Sequence, residues 1–142
     1  MLKALIDTNV LVDFFVEDRP SHEMARRIMF LVLNGRMEAE ITTQTFLDTV
    51  YICSRASGHH EEQFRKSLKE LRLRTNVSFI DSFELGDALG DADPDLEDSA
   101  HISHAYHSGC DVIITNDKAL LSREMPAPMK ALSPEDFLRR CR

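Results

Sequence analysis

The stretch LKALIDTNVLVDFF, Leu2 to Phe15, decides the fold. LKALI (2–6) is apolar apart from Lys3 and reads as a buried strand, and the apolar positions that follow Asp7-Thr8-Asn9 recur at helical spacing over 8–16. Asp7 and Asp13 interrupt the run well short of the ~20 residues that cross a bilayer, and no small-residue cleavage site follows. The segment is therefore the start of an α/β unit, and a cytoplasmic location is expected.

The same alternation continues along the chain. VSFI (77–80) and DVIIT (111–115) are further strand candidates, with EAEIT (38–42) and PMKAL (128–132) weaker ones. Helical periodicity covers 21–34, 43–56, 60–74, 82–89, 96–108 and 134–141. Asn34-Gly35, Ser57-Gly58 and Gly109 read as C-terminal caps, and Ser133-Pro134-Glu135-Asp136 as an N-terminal one. Strands separated by helices require crossovers, which puts them in a mainly parallel sheet covered on both faces. The expectation is a three-layer α/β/α fold over 1–142 as a single domain.

With 142 residues and 43% hydrophobic content the chain has enough material for its own core. Cys53, Cys110 and Cys141 are odd in number and widely separated, which points to a reducing compartment rather than a disulfide framework. A net charge of −7 excludes a surface that attracts nucleic acid everywhere. The charge is segregated: Asp81 to Asp98 carries eight acids and no Lys or Arg, whereas Arg65, Lys66, Lys69, Arg72 and Arg74 crowd the preceding helix. Arg65, Lys69 and Arg72 share one helical face, either to meet phosphates or as an ordinary solvated face paired with Glu61, Glu62 and Glu70.

Ligands of open α/β sheets collect beyond the carboxyl ends of the strands. Asp7, Asp81 and Asp117 each follow a strand candidate there, although Asp7 also suits an N-cap and Asp81, beside Ser82, suits one better. Asp98 shares a helical face with Ile102 and Ala105, so its carboxylate heads a stripe that must pack on the sheet, unless it serves only the helix dipole. Asp48 stands inside an apolar helix, or else on its solvated side. Carboxylates that converge to about 4 Å repel by about 4 kcal/mol per pair at an effective dielectric of about 20. A convergent set needs cations, and Mg²⁺ or Mn²⁺ suits an all-oxygen set.

LIDTNVLVDFF resembles the opening of the PIN-domain family, whose first strand ends in Asp-x-Asn before an apolar helix. ITTQTFLDTVY, LEDSAHISHA and VIITNDKAL resemble, in family order, the segments that carry its second, third and fourth acids. The resemblance implies Asp7, Asp48, Asp98 and Asp117 as metal ligands and catalytic acids, with Asn9, Thr115 and Asn116 shaping the pocket and Asp95 or Glu97 as extra acids. The second acid is usually Glu in the family, and Asp48 is one methylene shorter. The activity implied is Mg²⁺- or Mn²⁺-dependent hydrolysis of RNA by metal-activated water, with Arg65 and Lys69 on the substrate. The ribonuclease toxins of bacterial toxin–antitoxin pairs are similar members, so an antitoxin partner and a homodimer are expected. The competing reading is a catalytically weak nucleic-acid-binding or scaffolding domain.

Other readings fall away. A phosphoacceptor signalling domain wants two adjacent acids after the first strand, and a haloacid dehalogenase type phosphatase wants a second Asp where Asn9 stands. Asp91-x-Asp93-x-Asp95 lacks the Gly and final Glu of a calcium loop, since Leu96 and Ile102 take those places. His101, His104 and His107 drift around the helix and read as surface histidines, while the methionines and Phe14, Phe15, Phe30 and Phe46 read as core.

Overall fold

A computed structural model describes residues 1–56 and 61–141. Five strands, β1 (Lys3–Ile6), β2 (Glu38–Thr42), β3 (Asn76–Ser78), β4 (Val112–Ile114) and β5 (Lys130–Leu132), form one sheet in the order β3-β2-β1-β4-β5. Every pairing is parallel, with Leu5 opposite both Glu40 and Ile113. The described helices are α1 (Thr8–Phe15), α2 (His22–Leu33), α3 (Thr43–Cys53), α4 (Glu61–Arg74), α5 (Ser82–Leu89), α6 (Leu96–His107), α7 (Lys118–Leu121) and α8 (Pro134–Arg140). The expected three-layer α/β/α architecture is the one found.

The strand period sorts the core between the two faces. Ala4, Ile6, Ala39, Ile41, Val112 and Ile114 pack with α1, α2 and α8 through Val10, Leu11, Ile28, Met29 and Phe137. Leu5 and Ile113 point the other way, onto Ile102 and Ala105 of α6 and Leu120 of α7. Gly35 at φ 69° and Gly109 at φ 75° end α2 and α6 in the left-handed conformation that glycine adopts without a Cβ penalty. Ser133 caps α8 by accepting from Asp136 N–H. The Ser57-Gly58 cap lies outside the described residues.

Some elements differ from expectation. β3 ends at Ser78, its last pairing with β2, so Phe79 of the expected 77–80 strand is past the ladder and exposed. The four-residue helix α7 is too short for periodicity to show. Phe30 lies on the outer face of α2 and is 58% exposed rather than core, because Ile28, Met29 and Val32 take the inward stripe.

The histidine reading also needs correction: His107 is exposed, but His101 and His104 are buried, 7% and 3% exposed. They face polar partners supplied by other elements, which helical drift alone could not show. His101 Nε2 meets the Thr42 hydroxyl at 3.3 Å. His104 sits in a buried polar cluster between α5, α6 and the sheet. Its Nδ1 donates to both Glu84 oxygens at 3.0 Å, and its Nε2 lies 2.7 Å from the Ser78 hydroxyl and 3.4 Å from Glu40. The Ser78 hydroxyl donates to Glu40 and its oxygen lies against Nε2, so the ring, the hydroxyl and both carboxylates form one network. Lys3 Nζ adds a 3.4 Å contact to Glu40.

Removing the central member of such a cluster leaves two buried carboxylates without their partner. His104→Ala is expected to destabilise by about 3–5 kcal/mol, seen as a lower urea midpoint at unchanged slope. A loss under about 1 kcal/mol would mean that water replaces the ring.

Candidate active site

β1 and β4 lie side by side in register, Ile6 opposite Ile114, so their carboxyl ends deliver Asp7 and Thr115-Asn116-Asp117 to one place. Asp7 N–H donates to the Ile114 carbonyl at 3.1 Å and closes the ladder there. The Asp7 carboxylate then serves two roles at once. Oδ1 accepts from Thr8 N–H at 2.8 Å as the cap of α1, while Oδ2 accepts from the Thr115 hydroxyl at 2.6 Å and Asn9 Nδ2 at 3.1 Å.

Asn9 bridges the two strand ends, because its Oδ1 also accepts from Asn116 N–H at 2.9 Å. The Thr115 oxygen accepts from Asp117 N–H at 3.0 Å, and Asp117 caps α7 by accepting from Ala119 N–H at 2.9 Å. Asn9, Thr115 and Asn116 thus form one hydrogen-bonded frame around Asp7 and Asp117.

One member of this frame was missed. Asp13 is only 5% exposed; its Oδ2 accepts from Asn116 Nδ2 at 3.0 Å and its Oδ1 from Arg19 Nε at 2.9 Å. Its carbonyl meets His22 Nδ1 at 2.8 Å. Its partner Asn116 follows a different strand, which no spacing along the chain shows.

Asp98 enters from the first turn of α6. Its stripe partners Ile102 and Ala105 are buried, as the periodicity predicts. Asp95 caps the helix by accepting from Asp98 N–H at 3.0 Å. Asp98 Oδ2 is buried and has no hydrogen-bond partner. Burial pushes its carboxyl up to about 6, with the negative charges of Asp95, Asp117 and Asp7 adding to the rise and Arg123 opposing it. The charges of Asp7, Asp95 and Asp117 thus act on Asp98 together; Asp95 and Glu97 are both exposed.

The remaining candidates lie on other elements. Asp48 is half-buried on α3, one turn beyond Thr45, whose hydroxyl meets that of Thr8 at 3.3 Å. Asp81 is a cap, as its sequence context favours: it forms a capping box with Glu84. Arg65 and Lys69 are exposed on α4, where with Arg72 they rim an apolar groove of about 670 Å³ floored by Phe46, Val50, Phe64 and Leu68. Among the described residues none of these three cations has an ion-pair partner, and Glu70 pairs with Arg74 instead.

Whether the residues fit a divalent ion turns on Asp98. Among the described residues, no three His, Cys, Asp or Glu side chains form a group that could hold an ion as they stand. A desolvated, unpartnered carboxylate oxygen facing three more acids is nevertheless a site that a cation relieves. Mg²⁺ keeps several waters and is held by one or two carboxylates at a time, which suits acids spaced too far apart for direct ligation. The donor set fits.

A parallel α/β sheet with aspartates gathered beyond its carboxyl edge defines the class of protein to which the chain belongs. Residues 3–119 match the family model described as "PIN domain", and the chain belongs to the PIN-domain family. A curated relative, "Ribonuclease VapC1" of Aquifex aeolicus (strain VF5), is 26% identical over 146 residues, spanning 97% of this chain and 94% of the relative. Two solved structures share the fold. One, from a toxin–antitoxin complex of Klebsiella pneumoniae, has TM-score 0.65 at 18% identity, over 92% of this chain and 97% of that one. The other is Mycobacterium tuberculosis VapC20, described as a sarcin-ricin loop cleaving toxin, with TM-score 0.62 at 13% identity, over 82% and 92%.

The raised Asp98 carboxyl has a stability consequence. The folded protein holds this proton up to about pH 6, whereas the unfolded chain releases it near 3.8, the ordinary value of an aspartate, so stability falls as pH rises between those values. In EDTA at pH 7.5, Asp98→Asn is therefore expected to melt higher than the wild type, with the gap closing as pH falls from 6 towards 4. A variant that melts lower at pH 7.5 would show that the ionised carboxylate is not strained.

Proposed function

We propose that this protein is a Mg²⁺- or Mn²⁺-dependent ribonuclease that hydrolyses RNA phosphodiester bonds, and that it acts as the toxin of a toxin–antitoxin pair. The observation that carries the reading is the buried, unpartnered Asp98 Oδ2 in the field of Asp7, Asp95 and Asp117. The relative named as a ribonuclease and the fold shared with the sarcin-ricin loop cleaving toxin support it.

Asp7, Asp98 and Asp117 would hold the ion, and Asp48 would complete the ring of acids from α3. A bound divalent cation supplies Lewis-acid polarisation of the phosphodiester and a lowered pKa for the attacking water. The chain's own contribution is placement. Asn9 and Thr115 fix the Asp7 carboxylate by donating to Oδ2, and Asp13 fixes the Asn116 side chain. Asp98, short of hydrogen bonds, keeps an oxygen ready for a ligand. Arg65 and Lys69, exposed and without ion-pair partners among the described residues, attract the phosphate backbone that the net charge of −7 would otherwise repel.

The toxin–antitoxin complex among the solved structures supports an antitoxin partner here too. An amphipathic acidic segment suits the groove of α3 and α4, with apolar side chains on its floor and acids against Arg65, Lys69 and Arg72. Such a segment would hide the two cations from RNA. Exposed Phe79, Phe83 and Leu89 provide an apolar surface for a homodimer.

A scaffolding domain with weakened catalysis is the second reading, favoured by Asp48, one methylene shorter than the Glu usual at that place, and by the net charge of −7. Labelled single-stranded RNA incubated with Mg²⁺ or Mn²⁺ separates the two. Cleavage should vanish in EDTA and fall in Asp7→Asn and Asp98→Asn by more than ~100-fold, above the ~10–100-fold that loss of an outer partner costs. Equal cleavage by the wild type and both variants would mark contamination, and metal binding without cleavage would establish the scaffold. Asp48→Glu, which restores the longer acid, should lower the half-saturating Mn²⁺ concentration; an unchanged or higher value would remove Asp48 from the acid ring.

A further inference from the structure

The segment 91–98 holds five acids, Asp91, Asp93, Asp95, Glu97 and Asp98, and no basic residue. It is wound as successive turns in which each aspartate accepts from a backbone amide further on. Asp91 Oδ1 takes Asp93 N–H at 3.2 Å, Asp93 Oδ1 takes Asp95 N–H at 2.9 Å, and Asp95 Oδ1 takes Asp98 N–H at 3.0 Å. This geometry sets where α6 begins, and so where Asp98 sits. It also stacks like charges that repel along the whole segment.

The cation that answers them comes from the other side of the site. Arg123, just beyond α7, donates through Nη2 to Asp91 Oδ2 at 2.7 Å and to the Ser99 hydroxyl oxygen at 2.9 Å, and its Nε lies 3.4 Å from Asp93. The Ser99 hydroxyl in turn donates to Asp91 Oδ2 at 3.1 Å. The Arg123 side chain is 12% exposed, and its Nη1 is buried without a partner. Among the described residues, that nitrogen and Asp98 Oδ2 are the buried side-chain polar atoms left unpaired. A guanidinium that gives up its water this far costs stability unless the contacts it makes are worth more.

We propose that Arg123 is a positioning residue of the site: its fork fixes the spacing between Asp98 and Asp117 by tying the exit of α7 to the acidic turns and to the first turn of α6. Asp117 opens α7 and Ser99 follows Asp98, so the guanidinium spans the two elements that present these acids. No sheet hydrogen bond does so, because α6 reaches the edge from outside the strand ladder. Three acceptors are reached by one planar group, which a lysine ammonium on a flexible stem does not reproduce. The role rests on the metal-site reading for its consequence, but not for its geometry.

The test compares Arg123→Lys and Arg123→Ala with the wild type in three measurements: amide hydrogen exchange in EDTA, Mn²⁺ binding by calorimetry, and RNA cleavage against Mn²⁺ concentration. Both variants should exchange faster at residues 95–99 with the rest of the chain unchanged. Both should bind Mn²⁺ about tenfold more weakly, the lower range for loss of an outer-sphere partner, with KM for RNA little altered at saturating Mn²⁺. Arg123→Lys matching the wild type would overturn the proposal, since charge alone would then suffice. So would faster exchange throughout the chain, which marks a general stabiliser, or no change in either variant. If the wild type neither binds Mn²⁺ nor cleaves, the ribonuclease reading fails by itself, and the metal-free exchange at 95–99 still decides on Arg123.

Discussion

Mutual repulsion among carboxylates at the edge of a parallel sheet is the constraint on which the rest of this structure depends. Asp7 and Asp117 are delivered by neighbouring strands, and Asp95 and Asp98 by a helix packed across them. Left to themselves such groups would move apart into water. Their backbone positions are instead fixed by elements whose burial has nothing to do with charge: Leu5 and Ile113 in the sheet, and Ile102 and Ala105 on α6. The apolar core supplies the free energy, and the acids are carried to the edge as a consequence.

What holds the cluster once assembled is a set of donors that share single atoms between elements. Thr115 is the clearest case: its hydroxyl donates to Asp7 while its oxygen accepts from Asp117 N–H, so one side chain couples the first acid to the last. Asn9 and Asn116 extend the frame to Asp13, and Arg19 closes it. Asp7 and Asp13 have both carboxylate oxygens engaged, whereas Asp98 Oδ2 is buried without a donor. The imbalance is local to the first turn of α6.

A second buried polar cluster, Glu40, Ser78, Glu84 and His104, lies beneath α5 and α6 and does a different job. Its groups satisfy one another, with both ring nitrogens of His104 at hydrogen-bond distance from a partner. It joins β2, β3, α5 and α6 on the face away from α1, and so supports the helix that carries Asp98. Hydrogen bonds reach every member of this cluster, whereas the acid cluster keeps an orphaned oxygen at Asp98.

The strands, the long helices, their caps and the acids at strand ends were all legible in the sequence, because each depends on residues a few positions apart: the period of apolar side chains, a glycine after a helix, an Asp directly after a strand. Asp98 was legible for the same reason, since a charge heading an apolar stripe is visible without coordinates. Asp13, Arg123 and the buried His104 were not, because their partners lie on other elements, Asn116 for Asp13, Asp91 and Ser99 for Arg123, Glu84 and Ser78 for His104. Local periodicity determines which elements form and which face each one buries. Only the packing of α6 and α7 against the strand ends decides which charges share one dielectric environment, since that depends on distances that no spacing along the chain encodes.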